Sequence, residues 1–181
     1  MFFLVAFVSA ALRGQVREIF REAQTDALTG LLNRRALREV LDAQVDRMAM
    51  HGIPCVIVEL EIDHFKRIND RFGHLEGDSA LSRTAAILRR VCRATDALAR
   101  YGGDEFVIVM PQTTIMEAQV VVERVQRAVA GDSTLRRLGL PLSAGLAAFP
   151  DRGLTSHGLL EAADRAMYRV KRRGGNNIAV A

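Results

Sequence analysis

Two groups of acids stand in this chain where their spacing could do chemistry. The first is Asp104-Glu105, preceded by Gly102-Gly103 and followed by the apolar run Phe106 to Met110. The second is Glu59, Glu61 and Asp63, spaced by two at the end of the run "CVIVEL" that starts at Cys55. In a strand alternate side chains share a face, so Glu61 and Asp63 emerge together where a buried strand meets solvent. If the strand after the glycines pairs beside it, Asp104 and Glu105 reach the same edge and three or four carboxylates gather. Like charges so close are costly unless a cation joins them. Magnesium, held by a few carboxylates together with the phosphates of a substrate, fits such a set. On these residues alone a plain hairpin with a solvated acidic tip fits as well.

The elements that must position these acids are legible. "CVIVEL" is short, apolar and rich in β-branched residues, the pattern of a buried strand. Ala97 to Tyr101 and Phe106 to Met110 read as strands flanking the Gly-Gly turn, Leu142 to Phe149 as another, and Ile178 to Val180 as a last short one. A helix is expected from Arg34 to Met50, closed by Gly52 and Pro54. Helical material follows Asp63, with an elbow from Phe72 to Gly77 and a second helix beyond it. Thr114-x-x-Glu117 is a capping box, and Ala118, Val121, Val122, Val125 and Val129 form the buried stripe of the helix it opens. Leu159 to Arg172 is the last helix. The order β-α-β-β-α-β, with additions, implies an α+β fold of ferredoxin-like type, one sheet covered by helices on one face.

The bulk numbers bound the answer without choosing it. A length of 181 residues fits one domain and a short extension. The net charge of +4 comes from basic residues scattered among acids, so no nucleic-acid footprint is indicated. Cys55 and Cys92 have no metal or redox spacing and sit in apolar segments, which suits a reducing compartment.

Residues 1 to 25 form a separate unit. Phe2 to Leu12 is apolar but about half the roughly 20 residues of a spanning helix, and Arg13, Arg17 and Arg21 follow it. No basic region precedes it, which argues against a cleaved signal peptide. It reads either as the inner end of a membrane helix with arginines on the cytoplasmic side, anchoring a cytoplasmic domain to the inner membrane, or as a short apolar helix packed on the domain or a partner. Leu12, Val16, Ile19, Ala23 and Asp26 then recur at coiled-coil spacing, where two copies could pair.

Several separated segments resemble one family in order: "DALTGLLNRR" from Asp26, "EIDHFKRINDRFGHLEGD" from Glu61, "RYGGDEF" from Arg100, "SAGLAAFP" from Ser143 and "ADRAMYRVK" from Ala163. Residues 26–181 look like a GGDEF domain of the bacterial diguanylate cyclase family. The resemblance implies a nucleotidyl-cyclase-type fold, and condensation of two GTP into cyclic di-GMP in a homodimer whose two sites face each other. It implies magnesium, with manganese as the alternative ion, held by Glu61, the Ile62 carbonyl and Asp104. Glu105, with Asp104, would assist deprotonation of the ribose 3′-hydroxyl. Asn69 and Asp78 would bind the guanine edge. Phe65, Lys66, His74, Gly103 and Lys171 would line the base and phosphate pocket. Asp78 suits guanine because a carboxylate accepts from the ring N–H and the amino group together. Each residue also has a plainer reading: Asp63 as the cap of the next helix, Phe65 and Phe72 as core, His74 as a loop histidine.

The resemblance extends to regulation. Arg93-Ala-Thr-Asp96 matches the family's RxxD inhibitory site, where product binds, and Arg124 stands where a second arginine of that site is expected. A surface Arg–Asp pair at a helix end is the alternative. Two positions depart from the family pattern. Glu61 replaces the usual Asp, one methylene longer, which Asp104 at the facing ligand position offsets. Gly175 stands where a phosphate-contacting arginine is usual, so Arg172 or Arg173 is expected to substitute in part. Both departures are what a non-catalytic cyclic di-GMP receptor would show, which is the rival expectation.

Overall fold

The computed structural model describes residues 24–149 and 155–181. The apolar segment Phe2 to Leu12, the helical seam up to Ala23, and Pro150 lie outside the described residues. In chain order the elements are α1 (Arg34–His51), β1 (Cys55–Ile62), α2 (Phe65–Phe72), α3 (His74–Val91), β2 (Ala97–Gly102), β3 (Glu105–Pro111), α4 (Ile115–Gly131), α5 (Ser133–Leu138), β4 (Leu142–Phe149), α6 (Ser156–Arg172) and β5 (Ile178–Val180).

The five strands form one sheet in the order β2-β3-β1-β4-β5. β1 runs antiparallel to both β3 and β4, and β5 joins β4 in parallel. The first four strands with their crossovers are the expected β-α-β-β-α-β unit. The covering of the sheet differs from expectation: helices lie on both faces. Val56, Val58, Leu60 and Ile62 of β1 pack with α3, α4 and α5. Cys55 and Ile57, on the opposite face, pack with Leu37, Leu41, Val45 and Met48 of α1 and Leu159, Ala162 and Ala163 of α6. β1 is buried on both sides, which is why it reads as a continuous apolar run rather than an alternation. The crossover helices cover one face, and the two additional helices, α1 and α6, cover the other. Glu59, Glu61 and Asp63 fall on that second face.

Local chemistry sets the boundaries. Asn33 accepts from the Ala36 N–H to cap α1, and Thr114 with Glu117 closes the expected capping box of α4. α6 starts earlier than its apolar pattern implies because Thr155 accepts from the Gly158 N–H. α5 was not anticipated; Asp132 caps it by accepting from Thr134 and Leu135. The elbow is tighter than expected. Gly73 alone separates α2 from α3, so His74 opens a helix rather than standing in a loop.

Two contacts fix the frame around the acids. Leu32 lies along the outer edge of β2, its N–H donating to Leu98 O at 2.9 Å while it accepts from the Arg100 N–H at 2.9 Å, which covers an otherwise open sheet edge. A Cβ on Gly145 would collide with the Ala163 carbonyl and the Met167 N–H. α6 therefore rests directly on β4, and that close approach aims its last turn at the end of β1. Among the described residues no helix is long and apolar enough to cross a membrane.

Candidate active site

The antiparallel register of β1 and β3 places Glu61 directly opposite Glu105. The tip of the β2–β3 hairpin is Gly103-Asp104, and the Asp104 carbonyl accepts from the Ile62 N–H at 3.2 Å. Glu61, Ile62, Asp104 and Glu105 are thus brought to one edge, as the sequence pattern anticipates. Lys171, from the last turn of α6, reaches the same edge, its ammonium 3.0 Å from Glu61 Oε1 and 2.6 Å from Asp63 Oδ1.

Electrostatics follow from this crowding. Burial raises the Glu105 carboxyl, and the neighbouring charges of Glu61, Asp104 and Asp164 raise it further; Arg34 acts in the opposite sense. Glu59, buried under α6, is pushed up to about 8 by desolvation and by Asp164, Glu105 and Glu61. Glu59 belongs to the acidic group legible in the sequence, whereas Asp164 and Arg34 were missed as members of this neighbourhood. Asp164 lies on a helix distant in sequence, and Arg34 is stacked on Tyr101 with its guanidinium carbon 4.7 Å from the ring centroid, a contact that only the packing of α1 on β2 creates.

Asp63 is neither a helix cap nor an edge acid. His64 occupies the cap position of α2 and makes no side-chain cap bond. Asp63 is buried, and its two oxygens accept from the Ser143 hydroxyl at 2.8 and 2.9 Å and from the Asn176 N–H at 2.8 Å, in addition to the lysine contact. Both lone-pair sets are filled by protein donors. The two glycines of the turn serve different ends: a Cβ at Gly102 would sit 2.6 Å from Glu105 Oε2, so that glycine makes room for the Glu105 carboxylate, whereas a Cβ at Gly103 meets nothing.

The remaining predicted residues surround the α2–α3 elbow. Asn69 and Phe65 are half-buried, and a Cβ on Gly77 would collide with Asn69 Oδ1. Gly77 therefore sets how closely α3 meets the Asn69 amide. Lys66, His74 and Asp78 are exposed on the same elbow. A cleft of about 490 Å³ lies beside it, walled by Asp63, His64, Arg67, Ile68 and Phe72 among others, but not by Asn69, Asp78, Asp104 or Glu105.

Donor chemistry fits a hard divalent ion. Glu61, Asp104 and the Ile62 carbonyl are oxygen donors beside a raised carboxyl that a cation would relieve. Among the described residues no group of three or more acidic, histidine or cysteine side chains is arranged to hold an ion by itself. The set thus needs further oxygens, such as substrate phosphates and water, to complete octahedral coordination.

The regulatory candidates form a second cluster at the other end of β2. Asp96 Oδ2 accepts from the Arg93 N–H at 2.8 Å, and Arg124 donates to the Val91 carbonyl at 2.9 Å, which draws α4 toward the end of α3. Asp96 Oδ1 is buried with no hydrogen-bond partner. Cys92, beside it, is pushed up to about 12 by burial and by the Asp96 charge, and Cys55 to about 12 by burial. Cys55 is buried in the core and Cys92, half-buried, packs against it, as their apolar settings imply.

Comparison with known proteins agrees across the domain. The family model described as "Diguanylate cyclase, GGDEF domain" matches residues 23–177. The chain is 42% identical over 165 residues to diguanylate cyclase DgcP of Pseudomonas aeruginosa, covering 89% of this chain and 24% of that protein. It is 38% identical over 172 residues to response regulator PleD of Caulobacter vibrioides, covering 92% of this chain and 38% of that one. It therefore spans between a quarter and two-fifths of the length of these relatives. Among solved structures, the coiled coil and GGDEF domain of DgcB from Caulobacter crescentus, in complex with c-di-GMP, superposes with a TM-score of 0.90 at 31% identity, covering 98% of this chain and 95% of that one.

Proposed function

The chain belongs to the diguanylate cyclase GGDEF-domain family, and on that premise we propose that it condenses two GTP molecules into cyclic di-GMP, releasing two pyrophosphates. The observation that carries this reading is the pairing of Glu61 with Glu105 across β1 and β3, with Asp104 held against Ile62 and Lys171 beside them.

Each residue has a task that its environment explains. Glu61, Asp104 and the Ile62 carbonyl would hold a magnesium ion, which would neutralise charge on the phosphates. Glu105, raised by burial and neighbouring acids, accepts the proton of the ribose 3′-hydroxyl that attacks the α-phosphate of the opposing GTP. Asn69 and Asp78, on either side of the elbow, bind the guanine edge, with Phe65, Lys66 and His74 around it. Lys171 supplies a cation to the phosphates, and Gly103 leaves space for the nucleotide. Phosphoryl transfer depends mainly on such positioning and charge neutralisation.

One GTP per protomer requires a homodimer, with residues 1–25 as an extension along which two copies could pair, its apolar run being either the inner end of a membrane helix or a short helix packed on the domain or a partner. Product inhibition acts at Arg93 and Asp96 with Arg124, where the Arg93 N–H donated to Asp96 Oδ2 holds the arginine and the carboxylate together. A non-catalytic cyclic di-GMP receptor is the less supported reading, because the acids, Lys171 and the guanine-binding pair are all retained.

The test is incubation of purified protein with GTP and magnesium, with separation of nucleotides at several protein concentrations. Cyclic di-GMP should form at a rate per protomer that rises with dimerisation. A demonstrably dimeric sample that makes none would refute the enzyme.

A further inference from the structure

We propose that Asp63 is a positioning residue for substrate binding: it holds the Lys171 ammonium beside Glu61 and docks the 174–176 turn behind it. The inference rests on the proposed function for what Lys171 contacts, but the arrangement itself is visible without substrate.

Three chain segments converge on this one carboxylate. Asp63 closes β1 and donates its N–H to the Pro141 carbonyl at 3.0 Å. Ser143, at the start of β4 and fully buried, donates its hydroxyl to the carboxylate and accepts from the Asn176 N–H at 3.0 Å. The Asn176 N–H also donates to Asp63 Oδ2, which pins the turn between α6 and β5. Among the described residues, Lys171 supplies the positive charge paired with Asp63. A buried carboxylate is tolerable only when paired and hydrogen-bonded in this way. The pairing therefore works in both directions, stabilising Asp63 and fixing a flexible lysine side chain at a point 3.0 Å from Glu61.

Gly175 belongs to the same device. Its φ is +77°, and a Cβ there would lie 2.8 Å from the Asp63 carboxyl carbon. The turn presses its backbone onto the carboxylate, so the absence of a side chain at 175 is what lets Asn176 and Lys171 reach Asp63 together. An unanchored lysine would lose rotamer entropy on engaging phosphate; one already held loses less.

The experiment uses the whole protein and 3′-deoxy-GTP with magnesium, a nucleotide that cannot react because it lacks the attacking hydroxyl. Calorimetry on the native protein, Asp63→Asn, Lys171→Met and the double variant should show about tenfold weaker binding in each single variant, the size expected for one lost charged hydrogen bond. The double variant should be no weaker than the worse single. Acylation of Lys171 by an acetylating reagent, read by mass spectrometry without nucleotide, should rise in Asp63→Asn. If Asp63→Asn fails to fold, Ser143→Ala carries the same two readouts. Additive losses, an unchanged affinity, or unchanged Lys171 reactivity would overturn the inference. If the native protein binds 3′-deoxy-GTP but makes no cyclic di-GMP from GTP, the proposed function fails and this inference stands. If it makes cyclic di-GMP while the two losses add, the reverse holds. No binding at all refutes both.

Discussion

Arg100 grips both carboxylate oxygens of Asp26, at 3.2 and 3.3 Å, while its Nε and Nη2 donate to the Gly103 carbonyl at 3.0 and 2.7 Å. One guanidinium thus ties the start of the domain to the tip of the β2–β3 hairpin. Any movement of the chain entering at Asp26 bears on the backbone next to Asp104.

Lysine at this position keeps the charge but lacks the planar fork that serves two partners at once. Arg100→Lys is expected to cost about 1–3 kcal/mol in stability and to lower kcat by more than it raises KM, because the turn rather than the base pocket loosens. Denaturant unfolding and steady-state kinetics check both; an unaltered kcat would show that the tie is dispensable. Burial by itself raises the Asp26 carboxyl, but hydrogen bonds from Thr29 and the Arg100 charge win and leave it below its ordinary value of 3.8. Its contribution is therefore present above that value and is lost as pH falls through the depressed one. In Asp26→Asn the loss of stability should accordingly be larger at pH 6 than at strongly acid pH.

Glu59 has the opposite sign. Its carboxyl rises from 4.5 in the unfolded chain to about 8 in the fold, so the protonated form is favoured by folding. Its cost to stability begins above 4.5 and grows until the pH passes about 8. Glu59→Gln should raise the Tm by a few degrees at pH 8 and by little at pH 4.5, measured without divalent ions. Equal shifts at both pH values would mean that Glu59 is not held neutral.

Restoring an arginine at 175 should not restore a phosphate contact. The left-handed backbone and the approach to Asp63 make Gly175→Arg cost about 1–2 kcal/mol from the backbone alone, with further loss where the turn lifts off the carboxylate. KM for GTP should stay the same or rise. A lower KM at undiminished stability would show that the turn rearranges freely.

Arg93→Ala should relieve product inhibition while the initial rate stays near the native one, since Arg93 lies at the opposite end of a six-residue strand, about 20 Å from the turn. Rates measured with added cyclic di-GMP decide it. Inhibition that persists in Arg93→Ala and Arg124→Ala alike would remove the regulatory reading from this cluster.

Sequence by itself determined the pieces whose cause is local. The Gly-Gly turn, the capping box at Thr114 and the β-branched run at Cys55 all depend on residues within a few positions of one another, and the structure places them as their patterns imply. Glu61 faces Glu105 through the register of β1 on β3, two strands distant in sequence, and that register is held because a one-residue slip would turn their buried residues to the opposite face. What only the tertiary structure decided are the relationships between distant segments. Asp63 meets Ser143 across 80 positions and Asn176 across 113, and Arg100 meets Asp26 across 74. No local pattern encodes such contacts, so Asp63 read as a cap, Gly175 as a missing cation and the second helical face as absent. Each was settled by packing: α6 resting on β4 at Gly145 brings Lys171 and the turn behind it onto the end of β1, and burial then obliges the carboxylate there to find its partners.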